Sequence, residues 1–215
     1  MSKQPLRIAV LLSGTGRTLA NLIARADRQE LAIEISMVVS SKASVRGLEI
    51  AEAHGIPTAT IERRHHDSVK SFSKALTAAI PVDAIDIVVM AGFLQLYQLP
   101  EALRDRVINI HPSLLPLFGG KGYYGHHVHE AVLQSGMRVS GCTVHFVDNG
   151  YDTGPIIAQQ TCEIAPDDNA DDLAARVFDV ECELLPQALS WLQKGWVQMN
   201  SGTPHFDQQT ASKNR

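Results

Sequence analysis

Asn109 and His111 lie two residues apart at the end of a short apolar segment, Val107–His111. Alternate residues of a β-strand point to the same face, so an amide and an imidazole would enter one pocket. Both groups can donate hydrogen bonds to a carbonyl oxygen on which negative charge develops. The spacing therefore predicts a pair that stabilises an oxyanion. The alternative is a buried histidine bonded to a backbone carbonyl.

A loop rich in aspartate and glycine, residues 148–155, follows a later β-rich run. A carboxylate in such a loop can approach a histidine and raise its pKa by favouring the imidazolium form. The spacing lacks the terminal Glu of an EF-hand, which excludes that kind of calcium loop. The loop thus predicts either a partner for a histidine or a simple turn.

Residues 13–18, Ser-Gly-Thr-Gly-Arg-Thr, connect an apolar strand to a helix. Backbone N–H groups at a helix N-terminus bind phosphate, and glycines let the anion approach the main chain. A dinucleotide fingerprint needs a third glycine, where the chain has Leu19, and an acidic residue after the next strand, where residues 40–42 are Ser-Ser-Lys. A P-loop needs Gly-Lys-Ser/Thr, which this turn lacks. The turn predicts a monophosphate site, or a turn that needs glycine for its geometry alone.

Three histidines, His126, His127 and His129, follow a glycine-rich stretch at residues 119–125. Their closeness suggests a metal site, but no acidic or thiolate ligand accompanies them at a recognisable spacing. We therefore predict no metal site and interpret residues 119–129 as a solvated, mobile flap.

The composition, 45% hydrophobic and 20% charged over 215 residues, is typical of a globular protein. It predicts one domain, residues 1–199, followed by a loose polar tail, residues 200–215. The net charge of -4 leaves no global positive field to hold DNA or tRNA. No apolar run approaches the roughly 20 residues that span a bilayer. The three widely spaced cysteines fit a reducing cytoplasm. We expect neither a nucleic-acid nor a membrane partner.

Strands that alternate with helices predict an α/β fold with an open, doubly wound, mainly parallel sheet. Two β-rich runs after His111, residues 138–147 and 155–164, predict an antiparallel C-terminal portion. Ligands of such sheets collect at the carboxyl ends of the strands. The predicted strands are residues 8–12, 33–39, 58–61, 84–90 and 107–111. The predicted helices are one after residue 18, followed by residues 45–55, 71–79, 130–135 and 172–194. We expect Pro186 to bend or interrupt the last of these helices.

Three motifs in this order, residues 90–96, 109–116 and 148–155, resemble those of the phosphoribosylglycinamide formyltransferase family, folate-dependent enzymes of purine synthesis. The resemblance runs from residue 8 to about residue 199. It implies a Rossmann-like formyltransferase fold and transfer of the formyl group of 10-formyltetrahydrofolate to the amine of glycinamide ribonucleotide. It also implies a cytoplasmic enzyme that needs no metal and is a monomer or homodimer.

The resemblance carries site residues over to this chain. It implies Asn109, His111 and Asp152 as the catalytic trio and Glu181 as a contact of the amine substrate. The residues that it implies for the substrate phosphate are Gly14, Thr15, Gly16, Arg17 and Thr18. The residues that it implies for the folate are Leu94, Gln95, Leu96, Tyr97, Asn109 and Asp148.

The chain departs from the family pattern at several positions. Gln95 and Val69 stand where many members have arginine near the folate, although Lys70 is adjacent to Val69. Arg17 stands where a small polar residue is common, and it could add charge to phosphate binding. Residues 119–129 are longer and richer in glycine and histidine than the corresponding loop of the family.

The chemistry that we expect is attack of a primary amine on the formyl carbon, with Asn109 and an imidazolium at His111 stabilising the oxyanion. Asp152 would keep His111 protonated and assist proton movement. Relatives that formylate tRNA carry an added basic domain, for which the chain has no room. The alternatives are a sugar-nucleotide N-formyltransferase, a formyltetrahydrofolate hydrolase, a non-catalytic phosphate-ligand module and a nicotinamide oxidoreductase. The last needs the glycine and the acid that are missing here.

Overall fold

A computed structural model describes residues 4–200 and 202–207. The nine strands of this part of the chain are β1 (Leu6–Leu12), β2 (Ile33–Ser40), β3 (Thr58–Thr60), β4 (Ile87–Met90), β5 (Val107–His111), β6 (Val139–Phe146), β7 (Ile156–Glu163), β8 (Val197–Asn200) and β9 (Thr203–Phe206). Its five α-helices are α1 (Arg17–Asp27), α2 (Arg46–Ala53), α3 (Val69–Ala79), α4 (His126–Gln134) and α5 (Ala170–Gln193).

Seven strands form one sheet in the order β3-β2-β1-β4-β5-β6-β7. The first five of these run parallel, and β6 and β7 are antiparallel to their neighbours. All four residues of β4 are buried, as an apolar strand at the centre of a covered parallel sheet must be. The predicted mainly parallel sheet with an antiparallel C-terminal portion is confirmed.

Each face of the sheet carries its own hydrophobic core. One core packs Leu19 of α1, Leu48 of α2, Val132 of α4 and Leu185 of α5 against the sheet. The core on the opposite face packs Phe72 and other residues of α3. Helices therefore cover both faces, and the doubly wound architecture is confirmed.

The histidine-rich segment differs from the prediction. Helix α4 begins at His126, four residues before the predicted start, with Gly125 at φ 54° and ψ -132° as its N-cap. His126 and His129 therefore belong to a helix and not to a flap, and His129 is buried. Glycine permits the backbone turn that starts the helix at this point, and a search for apolar periodicity alone does not detect it. Only residues 119–125 form the loop that we call the flap.

The end of the chain also differs from the prediction. Helix α5 starts at a capping box formed by Asn169 and Asp172 and continues past Pro186 without interruption. Strands β8 and β9 then form a hairpin, and Phe206 packs edge-on against Trp191 at 6.4 Å. Residues 203–206 are thus paired, where a loose tail was expected. Residues 201 and 208–215 of that predicted tail lie outside the described residues.

No helix within residues 4–200 and 202–207 combines the length and apolarity needed to cross a membrane.

Candidate active site

A cavity of about 430 Å³ lies over the carboxyl ends of β1, β4 and β5. Helix α5 and the start of α4 form another part of its wall. The cavity collects thirteen of the fourteen site residues predicted from the sequence, namely Gly14, Thr15, Gly16, Arg17, Thr18, Leu94, Gln95, Leu96, Tyr97, Asn109, His111, Asp152 and Glu181. Asp148 is not part of the cavity wall. Its carboxylate accepts hydrogen bonds from the Gly150 N–H at 2.8 Å and the Thr153 hydroxyl at 2.7 Å, so it shapes its own loop.

Asn109, His111 and Asp152 form one cluster in this cavity. Asn109 and His111 share a face of β5 because alternate residues of a strand point the same way. Asp152 reaches them from the loop after β6. Its Oδ1 atom accepts from Asn109 Nδ2 at 3.3 Å, and its Oδ2 atom lies 3.5 Å from His111 Nδ1. The structure thus brings together the three residues that the sequence analysis singled out.

The His111 ring lies between two acceptors. Its Nε2–H donates to the Phe118 carbonyl at 2.8 Å, which leaves Nδ1 facing the Asp152 carboxylate. Burial lowers the pKa of His111, while Asp152 and the Phe118 carbonyl raise it, and the net direction is downward. Desolvation of the ring thus opposes the imidazolium form, whereas an acceptor at each ring nitrogen favours it. That Asp152 holds His111 as an imidazolium stays a prediction.

Asp152 has a left-handed backbone, with φ 55°. Few residues other than glycine adopt this conformation, and aspartate and asparagine tolerate it best. Its Oδ2 atom also accepts from the Gly120 N–H of the flap at 3.0 Å. Burial raises the pKa of Asp152, but the neighbouring rings of His145 and His111 and the Gly120 N–H outweigh burial and lower it. Asp152 is thus a carboxylate that joins the flap to the strand residues.

His145 is a member of the cluster that the sequence analysis missed. It lies on β6 directly opposite Asn109, with 2% of its side chain exposed. Its Nδ1–H donates to the Phe146 carbonyl at 2.8 Å, so Nε2 can accept from Asn109 Nδ2 at 3.1 Å. The same nitrogen lies 3.7 Å from Asp152 Oδ1. The sequence predicted antiparallel runs at residues 138–147 and 155–164, but not the pairing of β5 with β6, whose register places His145 here.

The glycine turn after β1 is shaped by close packing. Gly16 is the N-cap of α1 with φ 71°, and a Cβ atom there would lie 2.5 Å from Gly47 Cα. Arg17 follows it, and its guanidinium carbon lies 3.7 Å from the centre of the Phe178 ring on α5. The first turn of α1 therefore offers backbone N–H groups and a positive side chain to the cavity.

Glu181 on α5, three residues after Phe178, also lines the cavity. Burial raises the pKa of Glu181 to about 8, and the positive charge of Arg17 opposes that rise. The side chain is therefore neutral at pH 7, with one hydrogen to donate and an oxygen to accept.

The segment after β4 contributes apolar and backbone groups. Leu94 is 41% exposed, and its N–H donates to Ser13 Oγ at 3.0 Å, which joins this segment to the glycine turn. Tyr97 is 1% exposed, and its hydroxyl bonds to Thr77 at 2.8 Å on the α3 side. Burial raises the pKa of Tyr97 to about 12. Its ring supports the cavity wall while its hydroxyl is occupied elsewhere.

The histidines at the start of α4 have different surroundings. His126 is half exposed and lies 3.3 Å from an Asp171 oxygen, and His127 bonds to Glu130 at 3.2 Å. His129 is 4% exposed and lines the cavity. Within the described residues, no group of three or more His, Cys, Asp or Glu side chains is arranged to hold a metal ion.

The model of the formyl transferase family matches residues 6–189, a span that contains every cavity segment described above. The chain therefore belongs to the formyl transferase family. Within that family it is similar to phosphoribosylglycinamide formyltransferase. It is 34% identical to the protein of that name from Escherichia coli (strain K12) over 206 residues, 95% of each chain. A solved structure of phosphoribosylglycinamide formyltransferase from Coxiella burnetii is 35% identical, with a TM-score of 0.84 over 95% of this chain and 94% of that one.

The chain is also 39% identical over 199 residues to the trifunctional purine biosynthetic protein adenosine-3 of Drosophila melanogaster. That match covers 91% of this chain and 14% of the longer protein. The chain thus spans a small part of its trifunctional relatives and nearly the whole of the bacterial one.

Proposed function

We propose that this protein transfers the formyl group of 10-formyltetrahydrofolate to the primary amine of glycinamide ribonucleotide in purine biosynthesis. The observation that carries the proposal is the single cavity that joins a phosphate-type glycine turn to Asn109, His111 and Asp152. A substrate with one phosphate and a reactive amine matches the two ends of this cavity. Membership of the formyl transferase family and the similarity to proteins named phosphoribosylglycinamide formyltransferase support the same reaction.

Residues of two segments are proposed to hold the substrates. The backbone N–H groups of residues 14–18 and the Arg17 guanidinium hold the phosphate, and Glu181 contacts the same substrate. Residues 94–97 line the folate pocket. Asp148 acts on the folate only through the shape of its loop, because its carboxylate is bound to that loop.

The reaction starts when the amine nitrogen attacks the formyl carbon and the carbonyl oxygen becomes an oxyanion. Asn109 and His111 stabilise this oxyanion by donating hydrogen bonds, and the loss of one such donor typically costs about 10²–10³ in rate. Asp152 accepts the proton from the new ammonium nitrogen, directly or through water, and passes it to N10 of the folate as the bond from carbon to N10 breaks. Such acid–base assistance typically contributes about 10²–10⁴.

The lowered pKa of His111 defines the form in which it acts. Near pH 7 the free site holds a neutral ring that donates only through Nε2, and the Phe118 carbonyl takes that hydrogen. The oxyanion must therefore replace the Phe118 carbonyl as the acceptor, or a proton must reach Nδ1. Only the first event requires the Phe118 carbonyl, which directly precedes the flap, to move away from Nε2 when substrates bind.

An assay with the purified protein, 10-formyltetrahydrofolate and glycinamide ribonucleotide tests the proposal. We expect release of tetrahydrofolate that requires the amine, and a fall in turnover of at least about 10²-fold in His111→Ala at saturating substrates. Release that ignores the amine would identify a hydrolase. Release only with an amino sugar nucleotide would identify the other transferase, and near wild-type turnover in His111→Ala would remove the role assigned to that residue.

The proposal also covers the localisation and the oligomeric state of the enzyme. We propose a cytoplasmic enzyme that acts as a monomer or homodimer on small-molecule substrates. Sedimentation of the purified protein with and without both substrates tests the oligomeric state.

A further inference from the structure

His129 differs from the other two buried histidines of the cavity. His111 and His145 each donate a hydrogen bond to a backbone carbonyl, at 2.8 Å in both cases. The Nδ1 atom of His129 is buried and has no hydrogen-bond partner among the residues that the structure describes. Nearly all buried polar atoms in proteins are paired, and an unpaired one costs roughly 1–3 kcal/mol. The position of His129 therefore calls for a reason other than stability.

His129 lies in the first turn of helix α4. It forms part of the cavity wall, as do His111 and His126. Helices α4 and α5 pack together, and Phe178 and Glu181 of α5 line the same cavity. Because Arg17 lies on the Phe178 ring, this face of α5 is beside the glycine turn. His129 thus borders the space that joins the glycine turn to the catalytic trio.

The chemistry of His129 is that of a neutral ring. Burial lowers its pKa to about 4, and the adjacent His126 and His111 act in the same direction. A neutral imidazole has one hydrogen to donate and one lone pair to accept with. Glu181, protonated at pH 7, lines the same cavity and also offers one donor and an acceptor. Two neutral groups of this kind match hydroxyl groups, which both donate and accept.

We propose that His129 is a substrate-binding residue that hydrogen-bonds a hydroxyl group of the sugar of the amine substrate. This inference rests on the proposed function, because the sugar is the part of that substrate between the phosphate and the amine. The ribosyl group bonds to the ring where it lines the cavity, so the residue selects a ribosyl over a deoxyribosyl substrate. His129 takes no part in the chemical steps of formyl transfer.

The test compares glycinamide ribonucleotide with its 2′-deoxy and 3′-deoxy counterparts. In the wild type, kcat/KM for one deoxy counterpart is expected to be about tenfold lower than for the ribosyl substrate. In His129→Phe, which keeps a ring but cannot hydrogen-bond, kcat/KM for the ribosyl substrate falls about tenfold, mainly through KM. Its KM for 10-formyltetrahydrofolate is unchanged, and its discrimination between the ribosyl and deoxy substrates is lost. His129→Gln, which keeps a donor and an acceptor, recovers part of the loss.

A matched control lies on the same helix. His127 is 63% exposed in its side chain and does not line the cavity. His127→Gln should therefore leave every kinetic constant within about twofold. Thermal unfolding at pH 8 separates binding from folding, since removal of an unpaired buried nitrogen should leave the melting temperature of His129→Phe equal to or above that of the wild type.

A second measurement needs no folded variant. In the wild type labelled with ¹⁵N-histidine, glycinamide ribonucleotide alone should shift the ring nitrogen signals of His129, and the discriminated deoxy counterpart should not. Unchanged signals, or a His129→Phe enzyme that keeps both kcat/KM and its discrimination, would overturn the inference. A wild type that binds the ribonucleotide with this shift but transfers no formyl group would instead overturn the proposed function.

Discussion

The donor hydrogens of Asn109 and His111 already have hydrogen-bond acceptors within the protein. The two hydrogens of the Asn109 amide face His145 and Asp152, and the His111 Nε2–H faces a backbone carbonyl. A substrate oxygen must therefore displace an existing acceptor. Asp152 and the Phe118 carbonyl are acceptors on loops, whereas His145 lies on β6. The sequence indicated which residue types meet here, and it could not show that their hydrogens are already in use.

The role of Asp152 can be tested without disturbing its backbone. In Asp152→Asn the new side chain tolerates the left-handed φ of 55°, so folding should be preserved while the proton acceptor is lost. We expect kcat to fall by about 10²–10⁴ with a melting temperature near that of the wild type.

Asp105 provides the matched control for this substitution. It has a similar left-handed φ of 58° and is exposed away from the cavity. Asp105→Asn should keep kcat within about twofold. Equal turnover in the two variants would contradict the assignment of Asp152.

The protonation state of Glu181 gives a prediction that depends on pH. Because its pKa is raised to about 8, the side chain is neutral below pH 8 and becomes a carboxylate above it. The new negative charge would repel the phosphate in the same cavity, so KM for glycinamide ribonucleotide should rise above pH 8 in the wild type. In Glu181→Gln, which stays neutral, this rise should be absent. Titration of the substrate affects KM in both enzymes equally, so the difference between their two profiles of KM against pH reports Glu181 alone. Superimposable profiles would refute the ionisation of Glu181 above pH 8.

Among the elements, the glycine turn between β1 and α1 shows how the chain brings a binding site onto a helix. Gly16 must adopt φ 71° against Gly47, whereas Gly14 has no atom within 4 Å of the position of a Cβ. The two glycines of this turn thus have different structural roles. Gly16 allows α1 to pack on α2, and Gly14 keeps open the space in which an anion approaches the backbone.

Two alanine substitutions separate these roles. Gly16→Ala should lower the melting temperature, at a cost of about 1–3 kcal/mol from strain and overpacking. Gly14→Ala should leave the melting temperature unchanged and raise KM for glycinamide ribonucleotide, because its methyl group occupies the space for the phosphate. Calorimetry and steady-state kinetics on both variants check this, and equal melting temperatures would show that Gly16 is not under constraint.

Some elements were predictable from the sequence and others were not, for physical reasons. Four of the five parallel strands contain an apolar run, and β3 has the β-branched residues Thr58 and Thr60, so local patterning was enough to find them. The start of α4 at His126 depends on the conformation of Gly125, which periodicity does not report. The antiparallel runs were found, but the facing of His145 with Asn109 depends on the register, and register is fixed by packing across strands.

For the whole molecule, buried histidines make stability depend on pH. The pKa of His129 is about 4 in the folded state, against an ordinary value of 6.5. Between pH 6.5 and pH 4, the His129 ring therefore binds a proton in the unfolded chain but not in the folded protein. Its neutral ring therefore costs stability progressively as pH falls from 6.5 to 4, by at most about 3 kcal/mol. The lowered pKa of His111 acts in the same direction. Glu181 acts in the opposite direction, because its raised pKa favours folding as pH falls from 8 towards 4.5.

A difference measurement isolates His129 from these opposing groups. The free energy of unfolding of His129→Phe minus that of the wild type should be near zero or positive at pH 8 and should grow between pH 6.5 and pH 4. Denaturant titrations at a series of pH values give this difference. A constant difference across the range would show that His129 is not held neutral by the fold.

The glycines around the cavity fix where this protein can accept a longer or shorter loop. In the loop that carries Asp152, a Cβ at Gly154 would lie 1.8 Å from the Phe146 carbonyl oxygen, so that loop lies directly against its strand and its length is set. In the flap, Gly120 and Gly122 have positive φ and open space around them. Insertions and deletions should therefore accumulate in the flap and be rejected beside Asp152. In a lineage that changes its substrate, the flap side of the cavity can vary in length while Asp152, the proton acceptor, stays in place.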